Sequence, residues 1–288
     1  MSARIFCSRD AAAHIATITI NRPEARNAFT LDMVRRFCAA LEDLESDDAI
    51  KVIVIRGEGR DLSAGLDVAE AASLYARGDA QGGKSARPSL RARLAAHHEL
   101  WWGPQGLYHR LVHCRKITVV AAKGKCFGTG LNLCLYSDLV IAAEGASFSQ
   151  PRWAHVGVDG DIAMLVAAVG LRRARELMFL SATWPAQAAW QYGLVDGVVP
   201  GRQLPRAVDG LARSCAMIMR DGIAAEKQVV LASLAKLQVE LGFAAASVLG
   251  GWASNILHRP GEFNFLRELG DHGPGKAIRR SNAHFGRS

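Results

Sequence analysis

GKCFGTGLNLCLYSD, residues 124–138, places three glycines within seven residues, ahead of an apolar helical pattern with no acidic residue before Asp138. The run just upstream, ITVVAA (117–122), has the length and β-branched content of a buried strand. The local reading is strand, glycine turn, helix. Such a turn leaves backbone N–H groups bare at the positive end of the helix dipole. A second turn of this kind stands earlier: KVIVIRG (51–57) reads as a buried strand, and SAGLD (63–67) follows it. Two N–H groups converging from separate turns would hold an oxyanion, and glycine permits both the close approach and a positive φ. Neither G-x-G-x-x-G nor the P-loop pattern is present, so the turns are not a nucleotide fingerprint. The plain alternative is two tight turns that the fold requires.

Outward from these turns the chain alternates strand and helix. HIATITI (14–20) alternates apolar and polar residues as a strand does. NRPEARNAF (21–29) is a turn, and Thr30 can cap a helix to about Leu44 with Leu31, Val34, Phe37, Leu41 and Leu44 on one face. Strand, helix, strand by residue 56 predicts a right-handed crossover and parallel pairing. Residues 58–69 read as a loop entering a second helix, and 76–92, rich in Gly, Arg and Ser, as a mobile loop. A helical stretch interrupted at Gly103-Pro104 follows, and LVIAA (139–143) is a further strand. From about 161 the pattern is helical: 161–169, 173–180, 185–192, 203–219, 223–240 and 242–257. The class expected is an α/β core with a C-terminal helical extension.

The chain has 288 residues, enough for one large domain or a domain with an appendage. No apolar run reaches the roughly 18–20 residues of a membrane span, and the N-terminus lacks a signal-peptide pattern, so a cytoplasmic protein without membrane partners is expected. Six cysteines, none in C-x-x-C, read as free thiols and not as zinc ligands. His97, His98, His109 and His113 read as helix-face histidines, and no metal is expected. The net charge of +8 suits an anionic ligand or simply a solvated surface.

NRPEARNAF, VIVIRGEGRDLSAGLD, AAKGKCFGTGLNLCLYSDLVIAAEGASFSQP and GLVDGVVP occur in an order that resembles the enoyl-CoA hydratase/isomerase (crotonase) superfamily, from about residue 5 to about 200. The resemblance implies a crotonase-like spiral of ββα units over residues 1–200. It implies a helical region over 201–288 for oligomerisation and site closure, and homotrimers that often pair as hexamers. The implied ligand is an acyl-coenzyme A thioester, with coenzyme A as part of the substrate and no other cofactor. The shared chemistry is a thioester enolate held by two backbone N–H groups. These fall on Leu66, after Ala64-Gly65, and on Thr129, between Gly128 and Gly130, where the family usually has glycine. Arg26 is placed near the cofactor phosphates and Ala28 beside the pantetheine or adenine. The segment Leu66, Asp67, Val68, Ala69 is placed along the adenine and thioester region. Phe263 and Lys276 of the tail are placed toward a neighbouring subunit's cofactor.

Hydratases that this chain resembles carry one glutamate after the glycine loop and a second after the F-x-x-P turn. Here Asn132 holds the first position, and Arg152 or Trp153 the second. An amide cannot take a proton at neutral pH. One acidic candidate stands nearby: Asp161, four residues after Gly157 and eight after Trp153. The four-residue spacing from glycine resembles dienoyl-CoA isomerases and aryl-CoA dehalogenases of the superfamily, and the tryptophan spacing resembles the dehalogenases. Asp161 is equally placed to cap the helix IAMLVAAV. The expected function is isomerase-like proton transfer with Asp161 as base. The alternatives are a hydrolase, lyase or dehalogenase-like enzyme, and a catalytically weakened acyl-CoA-binding or RNA-binding protein. For RNA the basic segment 87–93 is the place to look, although nucleic acid is the less favoured partner.

Overall fold

The structure, a computed structural model, describes residues 4–70, 89–151, 162–252, 258–259 and 261–286. Arg152, Trp153, His155, Asp159 and Asp161, and residues 76–88 of the expected loop, lie outside the described residues. The last residues of that loop are helical instead: a helix starts at Leu90, capped by the Ser89 hydroxyl, which accepts from Ala92 N at 3.1 Å.

The first elements are β1 (Ile5–Asp10), β2 (Ile15–Ile20), α1 (Leu31–Ser46) and β3 (Val52–Gly57). Next come α2 (Leu90–His97), a π-helical turn His98–Trp102, and α3 (Leu107–His113). The segment that opened the sequence reading follows: β4 (Ile117–Ala122), β5 (Lys125–Phe127), α4 (Thr129–Tyr136), β6 (Leu139–Ala143) and β7 (Ser147–Ser149). The rest comprises α5 (Ala163–Phe179), β8 (Thr183–Pro185), α6 (Ala186–Gln191), β9 (Gly197–Val199), α7 (Leu204–Ala216), α8 (Arg220–Lys236), α9 (Val239–Trp252) and α10 (Phe265–His284). Gly170 breaks α5 at φ 76°, which the sequence anticipates as two helical runs. Thr30 caps α1 as expected, its hydroxyl accepting from Met33 N at 3.2 Å.

Six strands form one sheet in the order β1-β2-β3-β4-β6-β9, antiparallel only between β1 and β2. Ile15 pairs with Val52, and Val52 with Ile117, so the predicted parallel crossover is present. A smaller sheet, β5-β7-β8, stands beside it. Alternate residues of the central strands serve two cores. Ile53 and Ile55 face Met33, Val34, Phe37 and Leu41 of α1, while Val52 and Val54 face Leu204, Val208 and Ala212 of α7. Burial on both faces explains why these strands read as unbroken apolar runs. Among the described residues no single helix is long and apolar enough to cross a membrane.

An ion pair ties α8 to this framework. Lys227 Nζ lies 2.6 and 2.7 Å from the two Asp138 carboxylate oxygens, and Asp138 also accepts from Thr118 N and Oγ1 at 2.8 and 2.9 Å. Lys227 is buried and the Asp138 side chain keeps some solvent access. Lys227→Ala is therefore expected to cost about 3 kcal/mol of unfolding free energy, the lower end for a broken buried pair. Equilibrium urea unfolding measures it, and an unchanged midpoint would refute it.

Candidate active site

The two glycine turns meet, and a third segment clamps them. The Asn27 side chain donates to Glu58 O and Asp61 O at 2.8 and 2.7 Å and accepts from Arg22 N at 2.8 Å. This fixes the 21–29 turn against the loop after β3. From there Ala64 N donates to Arg26 O at 2.9 Å, Phe29 N to Gly65 O at 2.8 Å, and Asp67 N to Phe29 O at 2.7 Å. On its other side the loop pairs with β5: Ser63 N donates to Lys125 O and Phe127 N to Ser63 O, both at 2.9 Å, as a parallel bridge between Ser63 and Cys126.

That bridge sets Gly65 against Gly128. A Cβ on Gly128 would sit 3.3 Å from the Gly65 Cα, and one on Gly65 3.2 Å from Phe127 O. Gly128 has φ 51° and ψ −112°, a backbone open to glycine alone. Each glycine is followed at once by an expected donor, Leu66 or Thr129. Thr129 opens α4, so its N–H has no acceptor within the helix. Neither the Leu66 nor the Thr129 N–H is taken up by another group among the described residues. Thr129 itself is buried.

Asn132 is buried one turn along α4, and its side-chain oxygen accepts from Gln150 Nε2 at 3.4 Å. Gln150, also buried, follows β7 and stands 3.7 Å from where a Gly128 Cβ would be. Sequence reasoning missed Gln150, whose only signal was its place in the F-x-x-P turn. A neutral amide pair thus stands beside the turns.

Arg26 is exposed, in left-handed backbone at φ 52°, and its carbonyl holds Ala64. Lys125, a second missed residue, has its ammonium 5.1 Å from the Phe127 ring centre. Burial first, and then the Arg26 charge, hold the Lys125 pKa below its ordinary value. The two cations therefore share one edge of the site. Asp67 is committed locally. Its carboxylate pairs with Arg22 and accepts from Ala69 N at 2.9 Å. Burial pushes its pKa up, but Arg22 and the Glu70 and Ala69 amides outweigh that and hold it below the ordinary value. Ala28 is half-buried, and its carbonyl accepts from Arg22 at 3.1 Å. Val68 and Phe263 pack against Phe265, Leu269 and Ala277, so α10 reaches this edge within the same chain.

Ile162, the first described residue after Asp161, already has helical backbone, and the helix continues from Ala163. Of the four histidines, His97 is buried against Trp101, and His98 Nδ1 lies 3.4 Å from the Ser247 hydroxyl.

The chain matches the family model described as Enoyl-CoA hydratase/isomerase over residues 10–247. It is 31% identical over 205 residues to 4-chlorobenzoyl coenzyme A dehalogenase-2 of an Arthrobacter species, covering 70% of this chain and 69% of that one. It is 32% identical over 213 residues to an enoyl-CoA hydratase of Alternaria alternata, covering 70% of this chain and 64% of that one. Among solved structures, an enoyl-CoA hydratase/isomerase from Xanthobacter autotrophicus superposes with a TM-score of 0.77 at 27% identity, covering 99% of each chain.

Proposed function

The chain belongs to the enoyl-CoA hydratase/isomerase family, and from that premise we propose that it binds an acyl-CoA thioester and transfers a proton at carbons near the thioester through a stabilised enolate. The observation that carries this reading is the back-to-back pairing of Gly65 and Gly128, which sets two uncommitted backbone amides, Leu66 and Thr129, immediately after the contact. The thioester oxygen accepts from both as negative charge develops on it. Asp161 removes the α-proton, and the enolate takes a proton back at the γ-carbon to complete a double-bond shift. Hydration needs two carboxylates, one for water and one for the carbon. At the first of those positions the amide of Asn132, which accepts from Gln150, can orient a group but does not titrate. Arg26 and Lys125 supply positive charge for the coenzyme's phosphates. Large apolar side chains left exposed, such as Met217 at 85% and Met219 at 78%, suit a homotrimer or a pair of trimers.

A second reading has one specific support: the 31% identity to a 4-chlorobenzoyl coenzyme A dehalogenase together with Trp153 eight residues before Asp161. In it the Asp161 carboxylate adds to the ring carbon bearing halogen, halide leaves, and water cleaves the resulting aryl ester to a phenol and the free carboxylate.

Incubation with a panel of enoyl- and aryl-CoA thioesters in deuterium oxide tests both. Deuterium entering the α- or γ-carbon of an enoyl-CoA supports proton transfer. Halide release from 4-chlorobenzoyl-CoA without exchange selects the second reading. Binding without exchange or turnover across the panel overturns both in favour of a binding protein.

A further inference from the structure

Asn132 is only 8% exposed and Gln150 only 5%. The Asn132 N–H donates to Gly128 O at 2.9 Å, which sets residue 132 one turn beyond the Gly128–Thr129 step. Side chains of a helix lean toward its N-terminus, and residues three apart share a face, so the Asn132 amide lies back over Thr129. Gln150 marks the same spot from the end of β7. Its Nε2 donates to Asn132 Oδ1 at 3.4 Å, and its Oε1 stands 3.7 Å from where a Gly128 Cβ would be. A primary amide has two hydrogens on nitrogen and lone pairs on oxygen. With Oδ1 engaged by Gln150, the end that remains is the Nδ2 donor, and among the described residues nothing accepts from it. A buried donor left without an acceptor is destabilising, so this one calls for an acceptor on the ligand. Its neighbours have the same polarity. The Leu66 and Thr129 amides are donors without acceptors among the described residues, and the nearby Asp67 carboxylate is already paired with Arg22.

We propose that Asn132 is a specificity-determining residue that donates to a second oxygen on the acyl group, and that the substrate class is an acyl-CoA with a carbonyl on the β-carbon. The inference rests on the enolate reading above and concerns its first step. The two oxygens of a β-oxo thioester stand on carbons separated by a single carbon, so they meet donors that stand side by side. When the α-proton passes to the base, the electron pair of the broken C–H bond spreads over both oxygens. The thioester oxygen faces the two backbone amides, and the β-oxygen faces Asn132 Nδ2. An acyl chain without that oxygen leaves Nδ2 unpaired. Gln150 is a positioning residue: by occupying Oδ1 it turns the nitrogen toward the ligand.

The test compares acetoacetyl-CoA with butyryl-CoA, which differ by the β-carbonyl, on the full chain and on Asn132→Leu, Asn132→Asp and Gln150→Met. Calorimetry reads affinity, and the near-ultraviolet absorbance of the bound β-dicarbonyl anion reads enolate formation. The wild type is expected to prefer acetoacetyl-CoA by at least about tenfold, the scale of one buried hydrogen bond. It should also form the enolate at lower pH than free acetoacetyl-CoA does. Asn132→Leu and Asn132→Asp should each remove most of that preference and move enolate formation to higher pH. Gln150→Met should shift both readouts the same way by a smaller amount. Circular dichroism and melting temperature identify any variant that has not folded, and either folded Asn132 variant suffices. Equal affinity of the wild type for the two thioesters overturns the β-carbonyl assignment and leaves the acyl-CoA reading standing. An unchanged preference and enolate pH in a folded Asn132 variant overturns the role of Asn132. If neither thioester binds, the acyl-CoA reading fails and this inference falls with it.

Discussion

Asp161→Asn is expected to lower α- or γ-carbon deuterium exchange, or turnover of whichever thioester proves to be the substrate, by about 10²–10⁴-fold, the usual share of a positioned general base. The substitution separates chemistry from structure. Asparagine caps a helix as well as aspartate does, so a residue serving only as cap loses little by it. Removal of the base leaves the amide donors in place, so affinity for an unreactive thioether analogue should stay within about twofold. Exchange measured by mass spectrometry, with melting temperature as a control, decides it. Exchange at the wild-type rate in folded Asp161→Asn would mean that another group moves the proton.

Gly128→Ala is expected to cost about 10²–10³-fold in turnover, the scale of losing one oxyanion donor. Alanine at φ 51° and ψ −112° is strained wherever its methyl points. Here the methyl would also press on the Gly65 Cα at 3.3 Å, so relief moves one turn away from the other. That displaces the Leu66 and Thr129 amides from the shared position proposed for them. Steady-state kinetics, with calorimetric binding of the thioether analogue, should show the loss in kcat and little change in affinity. A kcat within threefold of wild type would remove the paired turns from the mechanism.

The parts of the fold visible in the sequence are those where one residue's surroundings follow from its neighbours in the chain. β3 and β4 were recognisable because burial on both faces makes VIVI and TVVA continuous apolar runs. β1 was not, because five of its six residues are exposed and its polarity carries no alternation. β5, β7, β8 and β9 have three residues each, too few for a period. α10 contains Pro274 and left-handed Gly273, which read locally as breakers although helix resumes beyond them. At the site, both glycine turns were legible as turns. Their contact was not, because it depends on the Ser63–Cys126 bridge and on Asn27, which join residues distant in sequence. The Asn132–Gln150 pair escaped for the same reason.

α4 has eight residues, about 12 Å at roughly 1.5 Å per residue, and is held at both extremities. Its leading end is Thr129, in the glycine turns. Just past its trailing end sits Asp138, gripped by Thr118 of β4 and by Lys227 of α8. A rod so short has no slack to absorb displacement along its axis. A shift of α8 is therefore passed along α4 toward the Thr129 amide, which makes the C-terminal helices a mechanical rest for the proposed oxyanion donor.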